Sequence, residues 1–346
     1  MLTSYSLAEL GWRPYFQQQL SLAELESCSV ARVSEQHRSQ LQLLTEQGAR
    51  SIQVTPNMPS ICVGDWLLIN DDGFVRLLER ATEFSRKAPG SKLAKQLIAA
   101  NLDTVLVVMS LNHDFSLSRL ERYLALINQT GARPVVVLTK ADLCDDIYSY
   151  QSQVQALDPL LDVVCVNALD QSSVSALAIY CKTGQTLAVM GSSGVGKSTL
   201  LNSLQGEETL QTGSIREDDS KGRHTTTSRS LHVMAAGGLL LDTPGMRELQ
   251  LSDVESGIAT TFADIEALAQ HCRFSDCSHQ GEPGCAVTQA IESGELELRR
   301  LTNYLKLSRE QALNAASLAE RRAKDKALGK MYRTIQGESK KLKKGY

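Results

Sequence analysis

The spacing of apolar residues changes character three times along the chain. Residues 1–26, with "LAELGWRPYFQQQLSLAEL", carry helical spacing and read as a short N-terminal extension. From 27 to 86 the apolar runs are short and punctuated by turn residues: "CSVARVSE", "SQLQLLTE", "SIQVT", "CVGDWLLIN" and, after "DDG", "FVRLLER". Short strands at this density predict a small β-barrel of the OB-fold kind, with a β-domain of no binding function as the alternative. "KAPGSK" at 87–92 reads as a linker.

From 92 to 255 the texture is different. "TVLVVMS" (104–110), "PVVVLT" (134–139), "VVCV" (163–166), "TLAVM" (186–190), "SLHVMA" (230–235) and "GLLLD" (238–242) are apolar nearly throughout. Helical stretches such as "SLSRLERYLALINQTG" lie between several of them. Strands apolar on both sides and separated by helices predict an α/β domain with a mostly parallel sheet covered on both faces. From 256 to 346 the pattern is mainly helical, broken by a Cys/His stretch and ending in Lys-rich sequence.

Composition alters this picture in two places. A length of 346 residues accommodates two or three domains, and a formal charge of −3 is ordinary. Between Arg321 and Tyr346, however, ten Lys/Arg face only Asp325 and Glu338. Beside an oligonucleotide-type barrel such a segment predicts contact with RNA phosphates, a solvated helix face being the alternative. The second place is the cysteines. Cys28, Cys62, Cys144, Cys165 and Cys181 are scattered and expected in the core, whereas the other three crowd into 272–285. No run approaches the ~18 apolar residues of a membrane span, and "MLTSYSLAEL" lacks the blocks of a signal peptide. A cytoplasmic protein without membrane contact is expected.

The chemistry starts at Gly191–Ser198, which fits G-x-x-x-x-G-K-[ST] between an apolar strand and the helical "STLLNSL". Gly191, Ser192, Ser193, Gly194, Val195, Gly196, Lys197, Ser198 and Thr199 are the expected GTP contacts of this loop. Its backbone N–H groups converge on phosphate oxygens, with Lys197 on the β- and γ-phosphates and Ser198 on Mg²⁺. "DTPG" follows another apolar strand: Asp242 suits the Mg²⁺ shell and the Gly245 N–H the γ-phosphate, where a plain Pro-containing turn is the bland alternative. Between the two lies "KGRHTTTSR", polar enough for a switch segment. One of Thr225–Thr227, with Thr226 favoured, is the candidate second Mg²⁺ ligand.

"TKAD" chooses the base. Asp142 can accept from the two guanine donors that adenine lacks, while the Lys140 stem lies along the ring. Thr139 stands where asparagine is usual, so one supporting hydrogen bond is expected to differ. In "VNALD", Asn167 and Ala168 belong to a second base-reading loop, with the Ala168 N–H toward the guanine O6. GTP is therefore expected over ATP. The base-reading loops precede the phosphate loop, which is the reverse of the usual order. A circular permutation keeps such a site intact, because the loops need only share one end of a sheet.

This arrangement resembles the circularly permuted GTPases of small ribosomal subunit biogenesis, the RsgA (YjeQ-type) family. The residues that carry the resemblance are "VGDWLLI", "IAANLDTVLVVMS", "TKADL", "GSSGVGKSTLLNSL", "GRHTTT", "DTPGMREL" and the Cys/His stretch. It implies an OB barrel (27–86), a permuted GTPase domain (92–255) and a zinc-binding C-terminal domain (256–346). It also implies a monomer that hydrolyses GTP to GDP and phosphate, binds 16S rRNA and acts late in 30S subunit maturation.

Cys272-x₄-Cys277-x-His279-x₅-Cys285 supplies three thiolates and an imidazole, a closed tetrahedral set for one structural Zn²⁺. Buried cysteines beside a surface histidine are the alternative. Catalysis is less regular. Many GTPases place a water-orienting glutamine directly after the D-x-x-G motif, whereas Met246 stands there in this chain. Slow intrinsic hydrolysis is the expectation. Candidate catalytic residues are Lys197, Thr226 and His224, the last either orienting water or simply an exposed loop histidine. An RNA-binding scaffold with GTP as a structural ligand is the competing class, and a P-loop ATPase is disfavoured by Asp142.

Overall fold

The computed structural model describes residues 4–87, 95–205, 229–242 and 254–315. Two short helices, α1 (Pro14–Gln17) and α2 (Leu22–Ser27), precede strands β1 (Ser29–Gln36), β2 (Gln40–Thr45), β3 (Gly48–Gln53), β4 (Trp66–Asn70) and β5 (Gly73–Leu77). β6 (Glu83–Lys87) and β7 (Lys95–Ala100) come next. Then follow β8 (Thr104–Ser110), α3 (Leu117–Asn128), β9 (Arg133–Thr139), α4 (Ile147–Gln155), β10 (Asp162–Val166) and α5 (Gln171–Val174). β11 (Thr186–Met190), α6 (Lys197–Gln205), β12 (Ser230–Val233) and β13 (Leu239–Asp242) lead to four helices: α7 (Glu255–Thr261), α8 (Ala263–Ala269), α9 (Ala286–Glu292) and α10 (Leu298–Ala315).

The first five strands pair antiparallel in the order β3-β2-β1-β4-β5. Alternation along them sends Ala31, Val33, Leu41, Leu43, Ile52, Leu67 and Ile69 to one buried face. Among the described residues no pairing of β5 with β3 closes this sheet; Arg50 on β3 instead donates to the Asn70 carbonyl at 2.9 Å. The sequence pattern extends the last strand through Arg80, but β5 ends at Leu77. The reason is Asp65, fully buried, whose two oxygens take Arg80 Nε at 2.7 Å and Nη2 at 2.8 Å and so turn the chain inward.

Residues 5–20 are more than an extension. Leu10 and Phe16 are buried against Trp66 and Leu68, on the face of β4 opposite Leu67 and Ile69. Arg32, itself buried, donates to the carbonyls of Leu10 and Asn101 and to Thr186 Oγ1, with its guanidinium over the Trp66 ring. Burial pushes that group down to about 9, still charged at neutral pH. One side chain thus joins the N-terminal segment, the small sheet and the strand leading to the phosphate loop. The expected linker is flanked by β6 and β7, which pair as an antiparallel hairpin that periodicity does not announce. Apart from Lys87, the linker itself lies outside the described residues.

The larger sheet runs β10-β9-β8-β11-β13-β12, parallel except for β12, and continues into β1 through the Glu35–Ser230 pairing. Strict alternation splits its central strands between two cores. Val105, Val107, Met109, Val136 and Leu138 face α3 and the C-terminal helices. Leu106, Val108, Val135 and Val137 face the layer containing α6. Buried on both sides, these strands need the unbroken apolar runs that the sequence displays.

α3 is amphipathic, and its Ser116 N-cap accepts from the Arg119 N–H. Leu120, Leu124 and Ile127 are buried on it, each contributing about 1.5–3 kcal/mol. The C-terminal helices settle on the same helix. α7 comes so close that a Cβ at Gly257 would lie 2.0 Å from the Ala125 carbonyl oxygen. Fully buried Glu121 receives Arg299 at 3.0 Å and Arg300 at 2.9 Å, and Arg122 makes a two-pronged pair with Glu310. Arg300 also binds both oxygens of Asp264 and lies over Phe262, so α3, α8 and α10 share one polar knot.

Candidate functional site

Parallel pairing brings the C-terminal ends of β8, β9, β10, β11 and β13 to one edge of the sheet, where ligands of α/β folds bind. Every expected base- and phosphate-contacting segment leaves the sheet there. Gly191 follows β11 with φ of 154°, and a Cβ on it would stand 2.3 Å from the Val108 carbonyl oxygen, so only glycine lets the loop turn this close to β8. Ser193 and Gly194 are exposed, Val195 is buried, and α6 begins at Lys197. The Lys197 ammonium donates to the Ser192 carbonyl. Ser198 and Thr199 lie in the first turn of α6, half-buried.

The two loops expected to read the base are tied to this unit by hydroxyls. Thr139, fully buried at the end of β9, donates to the Val195 carbonyl at 2.6 Å. The substitution for asparagine thus keeps a bond to the phosphate loop. Lys140 takes a left-handed conformation, φ 60°, uncommon for a side chain of this size, and turns the chain sharply off the strand. Asp142 then sits exposed in the short 3₁₀ turn Ala141–Leu143. On the other loop, Ser203 of α6 donates to the Ala168 carbonyl at 2.7 Å, and the Asn167 N–H goes to Ser173 Oγ. Asn167 Oδ1 accepts from the Leu169 N–H, closing the turn by itself.

Asp242 ends β13 on the same edge. Thr226, His224, Gly245 and Met246 lie outside the described residues, as does the basic segment from Arg321. Sequence patterns do not single out Arg119, in the first turn of α3, whose Nη1 donates to Ser192 Oγ at 2.6 Å and to the Asp114 carboxylate. A cavity of about 600 Å³ lies elsewhere, lined by Leu41, Met58, Ile61, Arg86 and Arg229, and does not touch the phosphate loop.

Cys272, Cys277, His279 and Cys285 form a second centre, with their ligand atoms all within 4.8 Å of one another. Cys272 Sγ and Cys285 Sγ are 3.9 Å apart, and His279 Nδ1 lies 3.6 Å and 3.5 Å from them. Ligands about 2.0–2.3 Å from one ion at tetrahedral angles stand roughly 3.4–3.8 Å apart, so the residues fit a metal ion. At Cys285 burial raises the thiol, but hydrogen bonds from Thr288 and His279 outweigh it and bring the group down to about 6. The thiolate a metal requires is therefore already favoured there. Glu282, between His279 and Cys285 in sequence, ties the loop by accepting from the N–H groups of Ser278 and Gln280. Only its place inside the ligand spacing hinted at such a role.

A loop of the G-x-x-x-x-G-K-[ST] pattern and the loops after β9 and β10 share one sheet edge in permuted order, which is the layout of a P-loop GTPase. The RsgA GTPase family model matches residues 77–252. Small ribosomal subunit biogenesis GTPase RsgA 2 of Vibrio parahaemolyticus is 58% identical over 345 residues, covering 99% of this chain and 96% of that one. RsgA of Mesorhizobium japonicum is 47% identical over 319 residues, 90% and 92% of the two chains. Among solved structures, YjeQ from Thermotoga maritima superposes with a TM-score of 0.60 at 25% identity, over 81% of this chain and 97% of that one. YloQ, described as a circularly permuted GTPase, gives 0.57 at 25%, over 82% and 94%. The chain belongs to the RsgA GTPase family and is a GTP hydrolase. Among the described residues no helix is long and apolar enough to cross a membrane.

Proposed function

We propose that the chain is a cytoplasmic, monomeric assembly GTPase of the small ribosomal subunit, slow alone and stimulated by the 30S particle. The observation that carries the reading is the pair of hydroxyl ties, Thr139 to Val195 and Ser203 to Ala168, which join the loops after β9 and β10 to the phosphate-loop unit. Asp142 reads guanine, with the Ala168 N–H toward its O6, and Gly191–Thr199 cradle the phosphates. Ser198 and Asp242, with Thr226, would hold Mg²⁺, which when bound would supply charge neutralisation for the transferred phosphoryl group. Lys197 leaves the Ser192 carbonyl for the β- and γ-phosphates. Met246 cannot orient the attacking water, and we assign that task to His224 when the chain is bound to the particle.

Residues 27–86 act as an OB-type barrel and, with the basic segment from Arg321, hold 16S rRNA. One structural Zn²⁺ at Cys272, Cys277, His279 and Cys285 stiffens the C-terminal unit. The curated relatives carry small ribosomal subunit biogenesis in their names, which supports the choice of particle. Loss of the γ-phosphate weakens the grip and releases the particle.

The test is GTP turnover with and without purified 30S subunits, for wild type and His224→Ala. Strong stimulation of the wild type and its loss in the variant, with 30S binding retained, are expected. Equal turnover with and without particles would remove the proposed stimulation, and a normally stimulated variant would remove His224 alone.

A further inference from the structure

Two cations meet on one residue of the phosphate loop: the Lys197 ammonium on the Ser192 carbonyl, and the Arg119 guanidinium on the Ser192 hydroxyl at 2.6 Å. They differ in how they are held. Lys197 is part of the loop and must swing away when phosphate arrives. Arg119 is anchored from outside: Asp114 grips the same Nη1 at 2.9 Å and 3.0 Å, and the Asp114 N–H is itself fixed on Asn112 Oδ1 at 3.0 Å. Its helix is rigidly seated, because the next residues along α3, Glu121 and Arg122, take the ion pairs from α10.

We propose that Arg119 is a positioning residue for GTP hydrolysis. It acts through Ser192, keeps the loop's first turn in place when Lys197 departs, and makes α3 the physical link between phosphate loop and C-terminal unit. The geometry supports each part. Ser192 has two ties before nucleotide binds and one afterwards, so the side-chain tie carries more weight in the loaded state. α3 carries Arg119 at its loop end, while Glu121, Arg122, Asn128 and Gln129 contact the C-terminal helices within three turns. A rigid helix can pass a small displacement at one end to the other without any contribution from residues 243–253.

The inference rests on Gly191–Ser198 being the phosphate loop, and Lys197→Ala tests that separately by abolishing nucleotide binding. Affinities for a non-hydrolysable GTP analogue and for GDP, with kcat and KM, are measured for R119A, S192A, the double variant and R119K. R119A and S192A should each weaken the analogue about tenfold, the lower end for a hydrogen bond to a charged group that solvent partly screens. The double variant should be no worse than either single one, because the two act as a unit. R119K, which keeps one donor, should recover part of the loss, and GDP should be affected less than the analogue. Additive losses, or equal losses for analogue and GDP, would overturn the positioning role. For the link, the analogue should slow amide hydrogen exchange in 298–315 of the wild type but not of R119A. Exchange that responds to nucleotide equally in R119A, or in neither protein, overturns α3 as the route.

Discussion

The hydroxyl of Thr139 donates to the Val195 carbonyl at 2.6 Å, joining the end of β9 to the loop after β11 across 56 residues of sequence. Both partners are buried, so the bond is not exchanged for water. Thr139→Val preserves the shape and removes the donor, leaving a buried carbonyl unpaired at a cost of about 1–3 kcal/mol. Guanine nucleotide affinity should fall several-fold as the loops lose register, with the melting temperature lowered by a few degrees. Fluorescent-GDP titration and a thermal melt check both. An unaltered affinity would mean that the loops are held in register without this bond.

Much of this arrangement is legible from residue order alone. Apolar runs locate β8, β9, β10, β11 and β13 to within a residue or two, because strands buried on both faces tolerate little else. The Cys/His spacing likewise leaves few alternatives to a shared centre. The β6–β7 hairpin is not legible: "TEFSRK" and "KQLIAA" lack a clear alternation, and the burial of Phe84, Ile98, Ala99 and Ala100 comes from tertiary packing. Nor is Arg119, since Arg119 and Arg122 lie one turn apart on α3 and only the folded chain selects the one that reaches Ser192. The N-terminal segment shows the same limit. Leu10 and Phe16 match any amphipathic helix, and their seat against Trp66 is a tertiary fact.

Asp142 stands exposed after the turn at Lys140, positioned to meet a base edge from solvent. Asp142→Asn replaces one acceptor with a donor. Xanthine presents a carbonyl where guanine has its amine, so preference should move from GTP toward XTP, with GTP affinity reduced at least tenfold. Competition binding with the two nucleotides measures this. Retained guanine preference would remove Asp142 from base reading.

The four ligand atoms of the Cys/His centre lie within 4.8 Å of one another, between α8 and α9. One zinc per chain should appear in elemental analysis of the purified protein. Cys277→Ala should lower that content and unfold the region around 270–295 at lower temperature, while GTP binding persists. Because metal binding supplies folding free energy, a strong chelator should reproduce the effect on the wild type. A metal-free wild type with the same stability would count against the site.

Arg122 grips Glu310 with both terminal nitrogens, at 2.7 Å and 2.6 Å, at the seam between α3 and α10. The hydrogen bond from Arg122 is the main reason that the Glu310 carboxyl sits below its ordinary value, with burial opposing it. A carboxyl depressed in the folded state stabilises that state fully above its unfolded pKa, near 4.3. The contribution is lost as pH falls through the lower, folded value. Between pH 7 and 5 the seam should therefore be insensitive to pH, and below about 4 it should loosen. The pair is roughly one-third exposed, so solvent screening keeps the effect to about 0.5–1 kcal/mol. Glu310→Gln should behave at neutral pH as the wild type does in acid, with faster amide exchange in α10 and little change below pH 4. Hydrogen exchange across 298–315 at several pH values separates the two proteins. If the variant kept the same acid response as the wild type, the Arg122–Glu310 pair would not be its source.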